Sequence, residues 1–199
     1  MLDAALRPLI DPPLDRVGRL LAARGVPANA VTLAGLALGL AAVPALATGL
    51  YPAALLLILL NRFLDGVDGA VARCVGATDL GGFLDIVCDF VFYAAVPFGF
   101  ALADPANALA AAFLICSFMG TGSSFLAYAV IAAKRRVTVE PRKAFFHLGG
   151  LTEGTETISA FVLMCLFPAW FAAIAWIFGT LCWITTVTRM AAAWEAFSD

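Results

Sequence analysis

The stretch Asn61-Arg62-Phe63-Leu64-Asp65-Gly66-Val67-Asp68-Gly69-Ala70-Val71-Ala72-Arg73 is followed by Gly81-Gly82-Phe83-Leu84-Asp85-Ile86-Val87-Cys88-Asp89, and together they put four aspartates inside two consecutive apolar segments. Asp65 and Asp68 are spaced i,i+3 and Asp85 and Asp89 i,i+4, so on helices each pair shares one face. A carboxylate within a membrane-crossing helix costs about 2.5–3.5 kcal/mol on insertion scales, and four on neighbouring helices repel one another. Such a cluster persists only if it is protonated or if cations sit among the acids. Oxygen ligands without His or Cys suit Mg²⁺ or Mn²⁺ rather than zinc. Gly66, Gly69, Gly81 and Gly82 remove side chains beside the acids, which lets a neighbouring backbone or a bulky ligand come close. Arg73, two turns beyond Asp65, brings a guanidinium that can fork onto a phosphate.

The sequence around this stretch makes the medium plain. The chain has 199 residues, 63% of them hydrophobic and 13% charged, with a mean hydropathy of +0.97. Soluble domains run about 45–50% apolar and about 25% charged. The composition excludes a soluble domain, a disordered tail and a nucleic-acid binder; the partner it points to is the lipid bilayer. Six stretches approach the roughly 20 apolar residues that a spanning helix needs: 30–50, 53–73, 80–103, 106–133, 148–168 and 170–194. Tyr51-Pro52, Asp104-Pro105 and Pro168-Ala169-Trp170 mark turns between them. Ahead of the first, Leu2, Leu6, Leu9, Leu14, Val17, Leu20 and Leu21 alternate with charges in the pattern of an amphipathic helix lying in the interface, bent or split at Pro12-Pro13. The expected fold is therefore an all-α integral membrane protein. It is one domain over 1–199, with an interfacial helix at 1–25 and six transmembrane helices at 30–194. No secretory signal is expected, because Asp3, Asp11, Asp15 and the two prolines interrupt the N-terminal apolar run.

Basic residues set the orientation. Arg7, Arg16, Arg19 and Arg24 precede the first stretch, Arg62 and Arg73 end the second, Lys134, Arg135, Arg136, Arg142 and Lys143 follow the fourth, and Arg189 closes the sixth. Six crossings bring all of these to one side, which the positive-inside rule makes cytoplasmic, together with both termini and the acidic cluster. The five cysteines are scattered and read as small buried thiols rather than disulfides or a metal site.

Cations, an arginine and space for a substrate at the cytoplasmic membrane edge describe phosphoryl-transfer chemistry on a lipid. Asp65-x-x-Asp68-Gly69-x-x-Ala72-Arg73 followed by Gly81-x-x-x-Asp85-x-x-x-Asp89 resembles the signature of the CDP-alcohol phosphotransferases. These enzymes pass a phosphate-bearing group from a CDP-linked donor to an alcohol and release CMP. The segment between Arg73 and Gly81 is one residue shorter than is usual in the family. The resemblance implies that Asp65, Asp68 and Asp85 hold a two-metal Mg²⁺ or Mn²⁺ centre, with Asp89 on the second metal and also acting as general base. It implies donor contacts from Gly69, Arg73 and Thr78, and from Asn29 and Thr32, which resemble the family's Asn-x-x-Thr element. It further implies a homodimer in a bacterial inner membrane, with CDP-diacylglycerol or another CDP-alcohol as donor and a small alcohol as acceptor.

Other readings stand beside these. The four acids also fit an ion or proton-coupled transporter, although Arg73 opposes a cation path. Asn29 and Thr32 fit a helix cap. Arg189 fits either snorkelling to the interface or a phosphate contact. His147 reads as an interfacial hydrogen-bonding residue. Gly35-x-x-x-Gly39 and Gly120-Thr121-Gly122 read as close helix packing. Glu153 and Glu156 share a face near the start of the fifth stretch. As acceptor-site residues they would repel a phosphate and favour a neutral or amino alcohol over glycerol 3-phosphate or inositol phosphate; alternatively they serve backbone or arginine partners.

Overall fold

The computed structural model describes residues 2–135 and 152–198. Seven α-helices run in chain order through them: α1 Leu2–Ala23, α2 Ala28–Ala47, α3 Tyr51–Val75, α4 Asp79–Ala103, α5 Ala108–Arg135, α6 Gly154–Leu166 and α7 Phe171–Phe197. Short 3-10 turns at Pro105–Asn107 and Pro168–Trp170 join α4 to α5 and α6 to α7. The described residues contain no strand. Among the described residues, four segments are long and apolar enough to cross a membrane, namely Ala28–Ala47, Asp79–Ala103, Pro105–Arg135 and Pro168–Phe197. The helix α3 matches α4 at 25 residues but carries Arg62, Asp65, Asp68 and Arg73, and α6 is 13 residues long. The basic residues after Arg135, His147 and the start of the fifth stretch lie outside the described residues.

Glycine sets how closely the helices meet around α3. Side chains at Gly35 and Gly39 of α2 would run into Leu64, Asn61 and Phe92, so this pair brings α2 against both α3 and α4. Gly120 and Gly122 do the same for α5, against Thr186 and Trp183 of α7 and Phe90 of α4. An aromatic core fills the centre. Phe100 stacks on Phe171 with centroids 4.5 Å apart, and Phe161 meets Phe92 and Phe118 edge-on. Large apolar side chains face outward along the helices, Leu109, Met119 and Trp194 among them, as a lipid-facing surface requires.

Three expectations need correcting. The helix α1 is not split at Pro12 and Pro13, which both lie inside it. Proline's fixed φ is itself helical, and the helix is held from the side by packing on α3. Leu14 is buried with Val67 and Val71, a side chain at Gly66 would meet Leu14, and one at Gly18 would meet Ala70. Tyr51 and Pro52 open α3 rather than forming a turn, because proline is tolerated in a helix's first turn. The chain reverses at Gly49, whose φ of 74° favours glycine. Among the cysteines, Cys88, Cys165 and Cys182 are buried but Cys74 and Cys116 are exposed, and all five are free.

Candidate active site

The motif helices α3 and α4 are joined by Gly76, Ala77 and Thr78. The helix α3 ends at Gly76, where φ is 102° and the N–H still donates to the Ala72 carbonyl. Thr78 caps α4, its hydroxyl accepting from Gly81 N at 3.0 Å. The shortened spacing is thus absorbed in a connection of three residues. Helical spacing then brings Asp65 and Asp68 of α3 to Asp85 of α4, with one carboxylate oxygen from each lying within 4.8 Å of the others. Asp68 is 5% exposed, and its Oδ2 is buried without a hydrogen-bond partner. An orphaned buried carboxylate oxygen facing two further acids is costly without a cation. Hard oxygen donors in this number suit a divalent ion of the Mg²⁺ or Mn²⁺ type.

The acids stand between two cavities that meet at Gly69. The smaller, of about 350 Å³, is walled by Pro27, Asn29, Thr32, Thr78, Gly81 and Gly82 and takes in Asp68 and Asp85. Asn29 and Thr32 do not cap α2, since Pro27 holds the cap position without a side-chain hydrogen bond. Thr32 instead donates back to the Ala28 carbonyl at 3.2 Å. Asn29 Oδ1 lies 3.2 Å from where a Cβ on Gly81 would stand, which places it at the α4 N-terminus beside Thr78.

The larger cavity, of about 930 Å³, carries Asp65, Asp89, Arg62 and Arg73 at one part of its wall and Ile158, Val162 and Leu163 of α6 at another. Asp89 is not among the three convergent acids; its Oδ1 accepts from Arg62 Nη2 at 2.7 Å. Arg73 donates to Asp15 of α1 at 2.9 Å across a largely exposed pair. This arginine, expected at the donor, therefore reaches from α3 to α1. The acceptor candidates stand elsewhere. Glu153 caps α6 in a reciprocal capping box with Glu156, whose Oε2 accepts from Glu153 N at 3.2 Å. Backbone partners thus occupy both carboxylates, and their neighbours Gly154 and Thr155 line the larger cavity in their place. Arg189, 9% exposed, donates to the Thr121 carbonyl at 2.8 Å and stands over the Phe125 ring. Its burial between helices excludes snorkelling to the interface.

Sequence reasoning used Arg62 for topology alone and gave Asn61 and Tyr93 no role. A cation three residues before Asp65, inside an apolar run, was the available signal. In the sequence Asp11 and Asp15 show only as breaks in a signal-like run, yet Asp11 lines the larger cavity and Asp15 holds Arg73.

Comparison with known proteins agrees with this geometry. Residues 26–191 match the model of the family described as CDP-alcohol phosphatidyltransferase. An inner membrane protein of Escherichia coli K12, YnjF, is 58% identical over 193 residues, covering 96% of this chain and 94% of that protein. An archaetidylinositol phosphate synthase of Pyrococcus horikoshii is 36% identical over 98 residues, covering 49% of this chain and 52% of that enzyme. No solved structure matches the chain.

Proposed function

The chain belongs to the CDP-alcohol phosphatidyltransferase family, and on that premise we propose that it moves a phosphatidyl group from CDP-diacylglycerol to the hydroxyl of a small alcohol, releasing CMP. The observation that carries this reading is the convergence of Asp65, Asp68 and Asp85 within 4.8 Å, between a small cavity that takes in Asn29, Thr32 and Thr78 and a larger one with an apolar wall. The family is generally dependent on divalent metals. Asp65, Asp68 and Asp85 would hold Mg²⁺ or Mn²⁺, with Asp89 reaching a second ion, and the bound charge would neutralise the diphosphate and the departing CMP.

The chain's own groups do the rest. Asn29, Thr32 and Thr78 bind the nucleotide in the smaller cavity, Gly69 gives the diphosphate passage between the two, and Arg73 holds it from the other side. Asp89 takes the proton as the acceptor oxygen bonds to the lipid-bearing phosphorus and the bond from that phosphorus to CMP breaks. The apolar α6 wall receives the acyl chains. Arg62, the arginine beside the proposed base, already faces Asp89 and Asp65, which supports an acceptor without phosphate. Glu153 and Glu156 no longer support it. With α3 and α6 counted beside the four apolar segments, the chain makes six crossings behind an interfacial α1. It works as a homodimer with its site and termini on the cytoplasmic side of a bacterial inner membrane. The name of the E. coli relative supports the membrane assignment.

The test is CMP release by purified protein with CDP-diacylglycerol, Mn²⁺ and a panel of glycerol, serine, ethanolamine, glycerol 3-phosphate and inositol phosphate. Release that stops in EDTA and returns with Mn²⁺ is expected, with preference for an unphosphorylated alcohol. Preference for either phosphate ester overturns the acceptor class, and metal-independent release overturns the metal centre. Asp89→Asn should bind CDP-diacylglycerol as the wild type does and lose turnover; wild-type CMP release by that variant removes Asp89 as the base.

A further inference from the structure

Among the four acids, Asp89 alone stands outside the 4.8 Å cluster, although it follows Asp85 by one helical turn and belongs to the same face. Arg62 bridges it to Asp65. The guanidinium Nη2 donates to Asp89 Oδ1 at 2.7 Å, Nη1 lies 3.4 Å from Asp65 Oδ2 and 3.3 Å from the Tyr93 hydroxyl, and Nε donates to Asn61 Oδ1 at 2.8 Å. The planar group is also held over the rings of Phe92 and Tyr93, 4.6 and 5.3 Å from their centroids. Asn61 is itself fixed, its Nδ2 donating to the Gly35 carbonyl at 2.9 Å, at the point where glycine lets α2 come close. The arginine thus has contacts on every edge and on its face, and its 15% side-chain exposure opens on the larger cavity.

From this geometry we infer that Arg62 is a positioning residue that bridges Asp89 to Asp65 and holds Asp89 at the edge of the acid cluster facing the larger cavity, where the acceptor hydroxyl must arrive. The inference rests on the reading of Asp89 as the base. A rigid fork suits this task better than an ammonium, because one guanidinium bonds Asp89 along one edge while Nε holds Asn61 along another. Aromatic faces stacked on it fix the plane of the fork. Asp89 Oδ1 is committed to Arg62, which leaves Oδ2 for the proton taken from the acceptor. Of the three convergent acids, Asp65 meets the same fork through Oδ2 at 3.4 Å, and Asp68 and Asp85 accept no hydrogen bond from it among the described residues.

The prediction separates chemistry from binding. Arg62→Met retains length and apolar packing but removes the fork, and it should lower kcat by about 10- to 100-fold, the range usual for groups that orient a ligand or base. The KM for CDP-diacylglycerol should stay within about threefold of wild type, and the Mn²⁺ affinity, measured by calorimetry on the same detergent-purified protein, should not fall by more than that, because removing a cation beside the acids does not weaken their hold on another. Arg62→Lys, which keeps the charge and loses the fork, should recover only part of kcat. Tyr93→Phe removes one hydroxyl partner and leaves the stacked ring, so it carries the test if Arg62→Met fails to purify as a folded protein; a severalfold kcat loss with unchanged Mn²⁺ affinity is then expected. Wild-type kcat in Arg62→Met, or in Tyr93→Phe where that variant carries the test, overturns the inference. So does a kcat loss matched by an equal loss of Mn²⁺ affinity. Asp89→Asn is run beside them. If Asp89→Asn is inactive while Arg62→Met is fully active, the positioning role alone falls; if Asp89→Asn is itself active, the reading of the base falls.

Discussion

The two cavities that share Gly69 are built in opposite ways. The smaller is shaped by missing side chains. Gly69, Gly76, Gly81 and Gly82 open its wall, and the acids it contains, Asp68 and Asp85, belong to the convergent cluster. The larger is shaped by side chains that oppose one another, with Arg62 on Asp89 and Arg73 on Asp15 along one side and the aliphatic groups of α6 along another. A wall of glycines fixes a ligand by the space it leaves, and any added carbon is felt at once. A wall of ion pairs can trade partners, so single changes there alter rates and preferences before they abolish binding. The nucleotide end of the proposed reaction should therefore be brittle and the acceptor end adjustable.

The largest effect that can break this contrast lies at the acid that serves the smaller cavity. Asp68→Ala removes the most buried oxygen ligand of the cluster and should weaken metal-dependent binding of CDP-diacylglycerol by about 100-fold or more, as the loss of a coordinating carboxylate commonly does. Isothermal titration with and without Mn²⁺ reads it directly, and unchanged donor affinity in the variant would sink the metal centre.

Next in size is a pair of space-filling changes. A Cβ on Gly81 would stand 3.1 Å from Thr78 Oγ1 and 3.2 Å from Asn29 Oδ1, so the branches of Gly81→Val must occupy the smaller cavity. Donor KM should rise about tenfold or more, the cost of roughly 1.4 kcal/mol or greater for a misfit of this kind. Val162→Trp narrows the larger cavity instead and should leave CMP affinity unchanged while raising the KM of the lipid-bearing partner. If Val162→Trp weakens CMP as much as Gly81→Val does, the two cavities are not separate sites.

A smaller effect concerns the edge of the larger cavity. Glu156→Ala breaks half of the capping box that starts α6 and should cost about 0.5–2 kcal/mol of stability. Thermal melting with bound CDP-diacylglycerol checks it. Acceptor preference should not change, since Glu156 faces the Glu153 backbone; a changed preference would return the pair to the acceptor site.

The contrast also explains how much the sequence disclosed. The helices of the bundle were legible because apolar runs of spanning length and proline or glycine at their ends leave few alternatives, and five of the six stretches match observed helices to within a few residues. The first residues of the fifth stretch, 148–151, lie outside the described residues. The smaller cavity was legible because glycine and aspartate at fixed helical spacing have few roles other than close approach and cation binding. The larger cavity was not. Arg62 and Asp89 are 27 positions apart and Arg73 and Asp15 are 58 apart, and only the packing of α1 and α4 on α3 decides those pairings. Glu153 and Glu156 are ambiguous in the sequence for a local reason. Their i,i+3 spacing fits a shared binding face and a capping box equally well, and the backbone N–H groups of a helix start are a nearer partner than any ligand.

The finest distinction lies in the Arg73–Asp15 pair, where the contrast between fixed and exchangeable walls can be sharpened without disturbing the fold. Its side chains are 60% and 39% exposed, and exposed pairs contribute no more than about 1 kcal/mol. Asp15→Asn should therefore leave thermal stability nearly unchanged. Its consequence is the release of Arg73, which sits on the wall shared with Gly69 and is the proposed holder of the donor diphosphate. Freed from Asp15, the guanidinium no longer divides itself between an acid and the substrate, so donor KM should fall by about two- to fivefold, the range that 1 kcal/mol or less allows. Salt supplies the control. Screening lengths shorten from about 10 Å at 0.1 M to about 3 Å at 1 M, which loosens the pair in the wild type as well. The ratio of wild-type to Asp15→Asn KM should thus shrink toward one as salt rises, even though screening weakens phosphate binding in both proteins. A ratio that stays constant with salt, or a donor KM that rises in Asp15→Asn, would mean that Asp15 orients Arg73 for the substrate rather than competing for it, and the pair would then join the fixed wall.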